Sequence, residues 1–262
     1  MSVRPFATAV LLLALLLAAA CRTPPAPPPI PPGTLVQAAA PQPPPQDDDW
    51  NWRFAPYLWA AGLDGDITVR NTTAHFSVPF SDILEDLNYA VMGTLEAQKG
   101  QWAVLLDNAY ISLSDDSKAH PGPGPGFDVD ADAALLISEL AGLYRIAPGS
   151  PYEVGAGVRY TDLRTDVHIA SAPGLHDDDS VTDGVAVGRA TWPLSERWHF
   201  RLFADAGTGD SDFTWQTAAT FLYDCDGWQL GAGYRILDYD IGGSHDANFT
   251  LEGFTFGADF RF

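Results

Sequence analysis

The chain has 262 residues, with 34 Asp and Glu against 14 Lys and Arg and a formal net charge of −20. That balance excludes the basic stripe a nucleic-acid partner requires. The length suits one large all-β domain or two small ones.

Residues 1–20, MSVRPFATAVLLLALLLAAA, have one arginine, an apolar run from Ala9 to Ala20 and small residues before Cys21. This is the pattern of a secretory signal peptide. The run is too short for a mature spanning helix, which takes about 20 apolar residues. Small residues directly before Cys21 also resemble a bacterial lipoprotein signal, whose cysteine is lipidated after cleavage, although Ala18 stands where such signals carry Leu. Lipidation of Cys21 and ordinary cleavage are both open. Residues 21–49 form a leader whose Pro-rich part, RTPPAPPPIPPGTLVQAAAPQPPPQ, suits an extended spacer of the polyproline type. It is either a tether or a leader without a role.

From Trp50 the chain becomes a series of period-2 stretches broken by turn residues, the pattern of β-strands. The strands are expected at 50–61, 88–98, 101–113, 129–146, 151–165, 181–193, 197–208, 212–223, 227–240 and 248–262. The connections alternate. KG (99–100), APGS (147–150), LSE (194–196) and DCDG (224–227) are tight, while 62–87, 114–128 and 166–180 are long. Short turns at one end and longer loops at the other is the signature of an outer-membrane barrel, with both termini on the periplasmic side.

The faces agree. Trp228, Leu230, Ala232, Tyr234 and Ile236 oppose Gln229, Gly231, Gly233 and Arg235; Tyr152, Val154, Ala156 and Val158 oppose Glu153, Gly155, Gly157 and Arg159. Aromatic residues cluster at strand ends, at Trp50, Trp102, Tyr152, Trp198, Trp228 and Phe262, as an interfacial girdle would require. A soluble barrel would have to expose the Gly and Arg face instead. Pro56 inside the first strand deletes a ladder hydrogen bond, so a bulge is expected there. The fold class is therefore all-β: a closed antiparallel transmembrane β-barrel of residues 50–262 with about ten strands, eight or twelve being the alternatives.

The inward face carries Arg53, Arg159, Arg189, Arg201, Arg235 and Arg261 against Glu96, Asp107, Glu139, Asp205 and Asp259. Such a set can pair across a narrow lumen by bidentate hydrogen bonds. Small barrels are generally filled by side chains, so a plugged lumen is expected, with a passive pore or small-solute transporter as the alternative. The repeat VGAGVRYTD and LGAGYRILD places Gly, Gly and Arg on one face, where the glycines are expected to leave room for a guanidinium.

In the link 62–87, DITVRNTTAHFSV suggests a hairpin turning at NTT, and SDILEDL suggests a helical turn capped by Asp82, with Ile83, Leu84 and Leu87 as an apolar patch. Five of the six histidines (His75, His120, His168, His176, His245) fall in the long links beside aspartates. His176 to Asp179 lack the looped geometry that lets sequential residues share one cation, so solvated acidic loops are the expectation and no metal or cofactor is assigned. Cys225 in the turn DCDG can form a disulfide with Cys21 if the latter is not lipidated.

With these residues in hand, a resemblance can be stated. The terminal FTFGADFRF, with Phe254, Phe256, Phe260 and Phe262, is similar to the C-terminal signal by which the barrel assembly machinery recognises outer-membrane barrels. APYLWAAGLDGDITV, FSDILEDLNYAVMGTLEAQKGQW, FTWQ and LGAGYRILDYD resemble an uncharacterised family of proteobacterial outer-membrane β-barrel proteins. The resemblance implies a barrel in the bacterial outer membrane, in contact with membrane lipid and lipopolysaccharide, and it implies no activity and no catalytic residue. A non-enzymatic structural or surface role is expected. The enzyme alternative is a hydrolase at the rim using Asp64, Asp66, Asp166 and His168, a spacing similar to that of the catalytic groups of the omptin proteases, which are also ten-stranded barrels.

Overall fold

The computed structural model of the protein describes residues 49–69, 72–119, 127–169, 175–242 and 245–262. Eleven strands and one short helix follow in order: β1 (Asn51–Val69), β2 (Thr72–Val78), α1 (Phe80–Glu85), β3 (Leu87–Lys99), β4 (Trp102–Ala119), β5 (Phe127–Arg145), β6 (Tyr152–Ile169), β7 (Leu175–Pro193), β8 (Trp198–Gly209), β9 (Phe213–Cys225), β10 (Trp228–Ile241) and β11 (His245–Arg261). Each pairs antiparallel with its neighbour, and β11 pairs with β1 from Arg53↔Arg261 to Val69↔His245, which closes the sheet. The result is a closed ten-strand antiparallel transmembrane barrel with one extra strand.

The extra strand arises at one edge of β1. Its lower part, Asn51–Pro56, pairs with β3, and its upper part, Leu63–Val69, pairs with β2. β2 and β3 thus share one place in the wall and are separated by α1. The expected hairpin pairs Val69 with Thr72, so its strands close one residue earlier than NTT, while residues 70 and 71 lie outside the described residues. The helical turn forms too, although Pro79 occupies the cap position without a side-chain cap bond, and Asp82 sits inside the first turn. The pyrrolidine ring fixes φ for a helix start, so a side-chain cap is not needed to begin it.

Pro56 does not produce a bulge. The β1–β11 register is the same at Phe54↔Phe260 and at Tyr57↔Gly257 on either side of it. Pro56 instead marks the end of the ladder to β3, whose last pair is Pro56↔Gly93. Beyond it the Trp59 amide donates to the Met92 sulfur at 3.3 Å.

Two of the expected long links are mostly strand. β4 continues to Ala119 and β5 starts at Phe127, while β6 reaches Ile169 and β7 starts at Leu175. Apolar periodicity detects a strand only where one face meets lipid or a core, and hairpins that project into water need no such pattern. At the opposite end the turns are tight, and Gly100 (φ 58°) and Gly227 (φ 86°) take the left-handed conformation that side chains resist.

The two surfaces are inverted relative to a soluble protein. Leu58, Val91, Leu140, Val158, Phe221 and Phe254 are exposed on the outer face, whereas Glu139, Arg159, Arg189, Asp205 and Arg235 are buried inside. Contiguous exposed apolar surface on this scale marks a lipid contact. At the tight-turn end the rings meet around the barrel: Trp102–Tyr144 at 4.8 Å, Tyr152–Trp192 at 5.9 Å, Trp192–Phe200 at 6.0 Å, Phe200–Phe221 at 5.1 Å and Trp228–Phe260 at 6.2 Å. Phe254, Phe256, Phe260 and Phe262 all lie on this exposed face.

Candidate functional site

The lumen is built in layers, because each strand places every second residue inside and the closed register aligns those residues around the axis. Nearest the tight-turn end is an alternating chain of three carboxylates and three guanidiniums. Asp259 of β11 accepts from Arg53 of β1 at 2.6 Å, and Arg53 donates to Glu96 of β3 at 2.6 Å. Glu96 accepts from Arg189 of β7 on the opposite wall, Arg189 donates to Glu153 of β6 at 2.6 Å, and Glu153 accepts from Arg145 of β5 at 2.9 Å.

The second belt lies nearer the middle. Arg159 of β6 is fully enclosed, with none of its surface exposed. It donates to Glu139 of β5 at 2.9 Å, to Thr214 of β9 at 3.0 Å and to Asp205 of β8. Gln216 of β9 donates to Asp205 at 2.7 Å and accepts from Arg235 of β10 at 2.7 Å. Arg235 continues to the Tyr57 hydroxyl at 2.8 Å and to Asp107 of β4 at 3.0 Å, and Asp107 also accepts from Thr94 of β3 at 2.6 Å. The Arg235 guanidinium also lies 4.6 Å from the Trp59 ring centroid, within cation–π range.

Two residues further along the same inner faces, the lining turns apolar. Tyr57 gives way to Trp59, Asp107 to Ala109, Glu139 to Ile137 and Arg235 to Leu237. With Ala61, Tyr239 and Leu251 these form one buried cluster across the barrel, and Tyr239 shares a hydrogen bond with Thr161. Between the two belts remains a chamber of about 170 Å³, with Leu105, Phe203 and Leu222 in its wall. Glu139, Arg235 and Asp259 also line it, and each has one buried polar atom without a partner among the described residues. Such atoms are the ones ordered water satisfies. Below the first belt, a wider vestibule of about 790 Å³ opens at the tight-turn end.

Of the inward charges expected from sequence, Arg53, Glu96, Arg189 and Asp259 stand in the first belt, and Asp107, Glu139, Arg159, Asp205 and Arg235 in the second. Arg201 makes a long contact to Asp259, at 3.9 Å, and donates to Thr191 at 3.4 Å. Arg261 does not join the network. Its backbone lies opposite Arg53, which already holds the nearby carboxylates, so its side chain is exposed at the vestibule mouth. Arg145, Tyr57, Gln216 and Thr214 were not anticipated. Glu153 shares its face with Arg159 at even spacing, and that was a legible signal for it.

Gly155, Gly157 and Gly233 of the two repeats have another reason than the one expected. A Cβ at Gly155 would overlap the Gly142 carbonyl, and one at Gly157 would lie 2.5 Å from the Leu140 carbonyl oxygen. They admit the backbone of the neighbouring strand rather than a guanidinium.

Asp64 and Asp66 alternate on β1, and Asp66 pairs with exposed His75 of β2 at 3.0 Å. Asp166 and His168 belong to β6, which is not a neighbour of β1 in the sheet, and their side chains lie outside the described residues. So do the side chains of His176, Asp177, Asp178 and His245, and the whole of His120. Among the described residues no cluster of His, Cys, Asp and Glu can hold a metal ion. Cys225 is disulfide-bonded, and Cys21 lies outside the described residues.

The inverted surfaces, aromatic belts and closed ten-strand sheet define an outer-membrane-type β-barrel. The structure is similar to the outer-membrane protease OmpT from Escherichia coli, at 8% identity over 82% of this chain and 98% of that one, with a TM-score of 0.55. Weaker likenesses are the translocator domain of the autotransporter NalP from Neisseria meningitidis (13% identity, 83% and 91% covered, TM-score 0.42) and the attachment invasion locus protein Ail of Yersinia pestis (9%, 81% and 98%, TM-score 0.35). The chain matches no family model and no curated protein sequence.

Proposed function

We propose that this protein is a closed barrel of the bacterial outer membrane, with a structural or surface-exposed and non-enzymatic role. Residues 1–20 direct export, 21–49 lead into the barrel, and both termini face the periplasm. The outer face meets membrane lipid and lipopolysaccharide, and the C-terminal phenylalanines address the chain to the assembly machinery. The observation that carries the reading is the pairing of Arg159 with Glu139 and Asp205 beneath an apolar layer of Trp59, Ile137, Leu237, Tyr239 and Leu251. Ions crossing such a lumen would have to break buried ion pairs and then shed their hydration in an apolar layer. Planar-bilayer recording on the purified protein is expected to show no stable unit conductance, and reproducible large steps would overturn the reading.

A further inference from the structure

The chain is strongly acidic, yet the wall of its vestibule is basic. Arg53, Lys99, Arg145, Arg189, Arg201 and Arg261 line the space, against the two carboxylates of Glu96 and Glu153. Pairing accounts for half of these cations. Arg53, Arg189 and Arg145 share the carboxylates of Glu96, Glu153 and Asp259, three charges against three. Arg201 and Arg261 are left over, because the Lys99 ammonium lies over the Trp50 ring, 5.9 Å from its centroid. Of these, Arg201 is the costly one: its side chain is 20% exposed, and its nearest carboxylate, Asp259, stands 3.9 Å away and is already held by Arg53 at 2.6 Å. A guanidinium withdrawn from water without a counter-charge is unfavourable, and a ligand that supplies the charge removes the penalty.

We infer that the vestibule is a binding site for a small multivalent oxyanion, one carrying phosphate or carboxylate groups. Arg201 forms its floor, and Arg261 stands at its mouth. Guanidinium forks suit the paired oxygens of either group. Two negative charges answer the two cations left over. The space is enclosed by inner strand faces and by turn residues such as Gly100 and Gly149, so the ligand enters along the barrel axis from water. Basic walls in a low-dielectric cleft also focus the field and draw anions inward despite the overall negative charge.

The site is independent of whether the lumen conducts, because it lies below the first belt. The test is isothermal titration of pyrophosphate and, separately, citrate into the full mature protein in a nonionic detergent at low ionic strength. One saturable site per barrel is expected for at least one of them, weakening steeply with added salt. Arg201→Gln is expected to weaken that site at least tenfold. Arg261→Gln, whose side chain is at the rim and does not support the belts, is expected to weaken it at least threefold, which keeps the test decisive if Arg201→Gln fails to fold. Pyrophosphate binding without citrate binding, or the reverse, names the oxyanion. No saturable binding by either, or binding that a folded Arg201→Gln or Arg261→Gln leaves unchanged, would overturn the inference.

Discussion

Replacing Arg159 by Met isolates what the central belt contributes. Methionine fills much of the same volume but removes the donors to Glu139 (2.9 Å), Thr214 (3.0 Å) and Asp205, and leaves two buried carboxylates facing one another. Taking one partner out of a buried ion pair costs about 3–5 kcal/mol, most of it from the charge left behind. With a urea dependence of about 3 kcal/mol/M, the upper part of the range for small proteins, the unfolding midpoint should fall by about 1–1.7 M. Tryptophan fluorescence during urea titration in detergent micelles, with unfolding and refolding curves superimposed, measures it. The reasoning makes a sharper demand in the Glu139→Gln/Asp205→Asn background. There Arg159→Met should cost less than half as much, because no charge is orphaned. An equal cost in both backgrounds, or a shift below about 0.3 M in the wild-type background, would refute the electrostatic account and reduce Arg159 to a packing residue.

The β1 ladder to β3 ends at Pro56↔Gly93, while even-numbered β1 residues such as Trp52 bond to β11, so the Tyr57 and Ala61 amides should exchange about tenfold faster than those of Leu105–Asn108 in β4, as read by residue-resolved hydrogen exchange; equal protection would contradict the interrupted seam. Gly157→Val should destabilise by about 1–3 kcal/mol through contact with the Leu140 carbonyl, whereas the same change at Gly142, whose Cβ would meet nothing within 4 Å, should be tolerated. Phe262 exchanges two backbone hydrogen bonds with Trp52, both 3.0 Å, while its ring is 73% exposed. Phe262→Ala should therefore leave the urea midpoint of the refolded barrel within about 0.3 M, on the expectation that a surface truncation costs little. It should lower the yield in the outer membrane, and an unchanged yield would remove the assembly role of that ring.

What the residues themselves determined was the wall. Strict alternation in 151–165 and 227–240, tight turns at one end and rings at the strand ends suffice for a barrel with its apolar face outward, because a membrane wall is a local property of period 2. The same parity put charges such as Arg159, Arg189 and Arg235 on the lumen side without fixing their depth, since a strand cannot turn one residue without turning its neighbours. Arg261 escaped this logic because parity says nothing about depth, and its partner across the sheet is another cation. The apolar layer was spelled out in the sequence, at Trp59 after Tyr57 and Leu237 after Arg235, yet it became a layer only when the closed register brought β1, β4, β5, β10 and β11 to one level. The placement of β2 above β3, the strand backbones that exclude a Cβ at Gly155 and the long Arg201–Asp259 contact likewise follow from which strands face each other. Alternation fixes the side of the wall on which a residue stands; closure of the ring alone decides what it meets across the lumen.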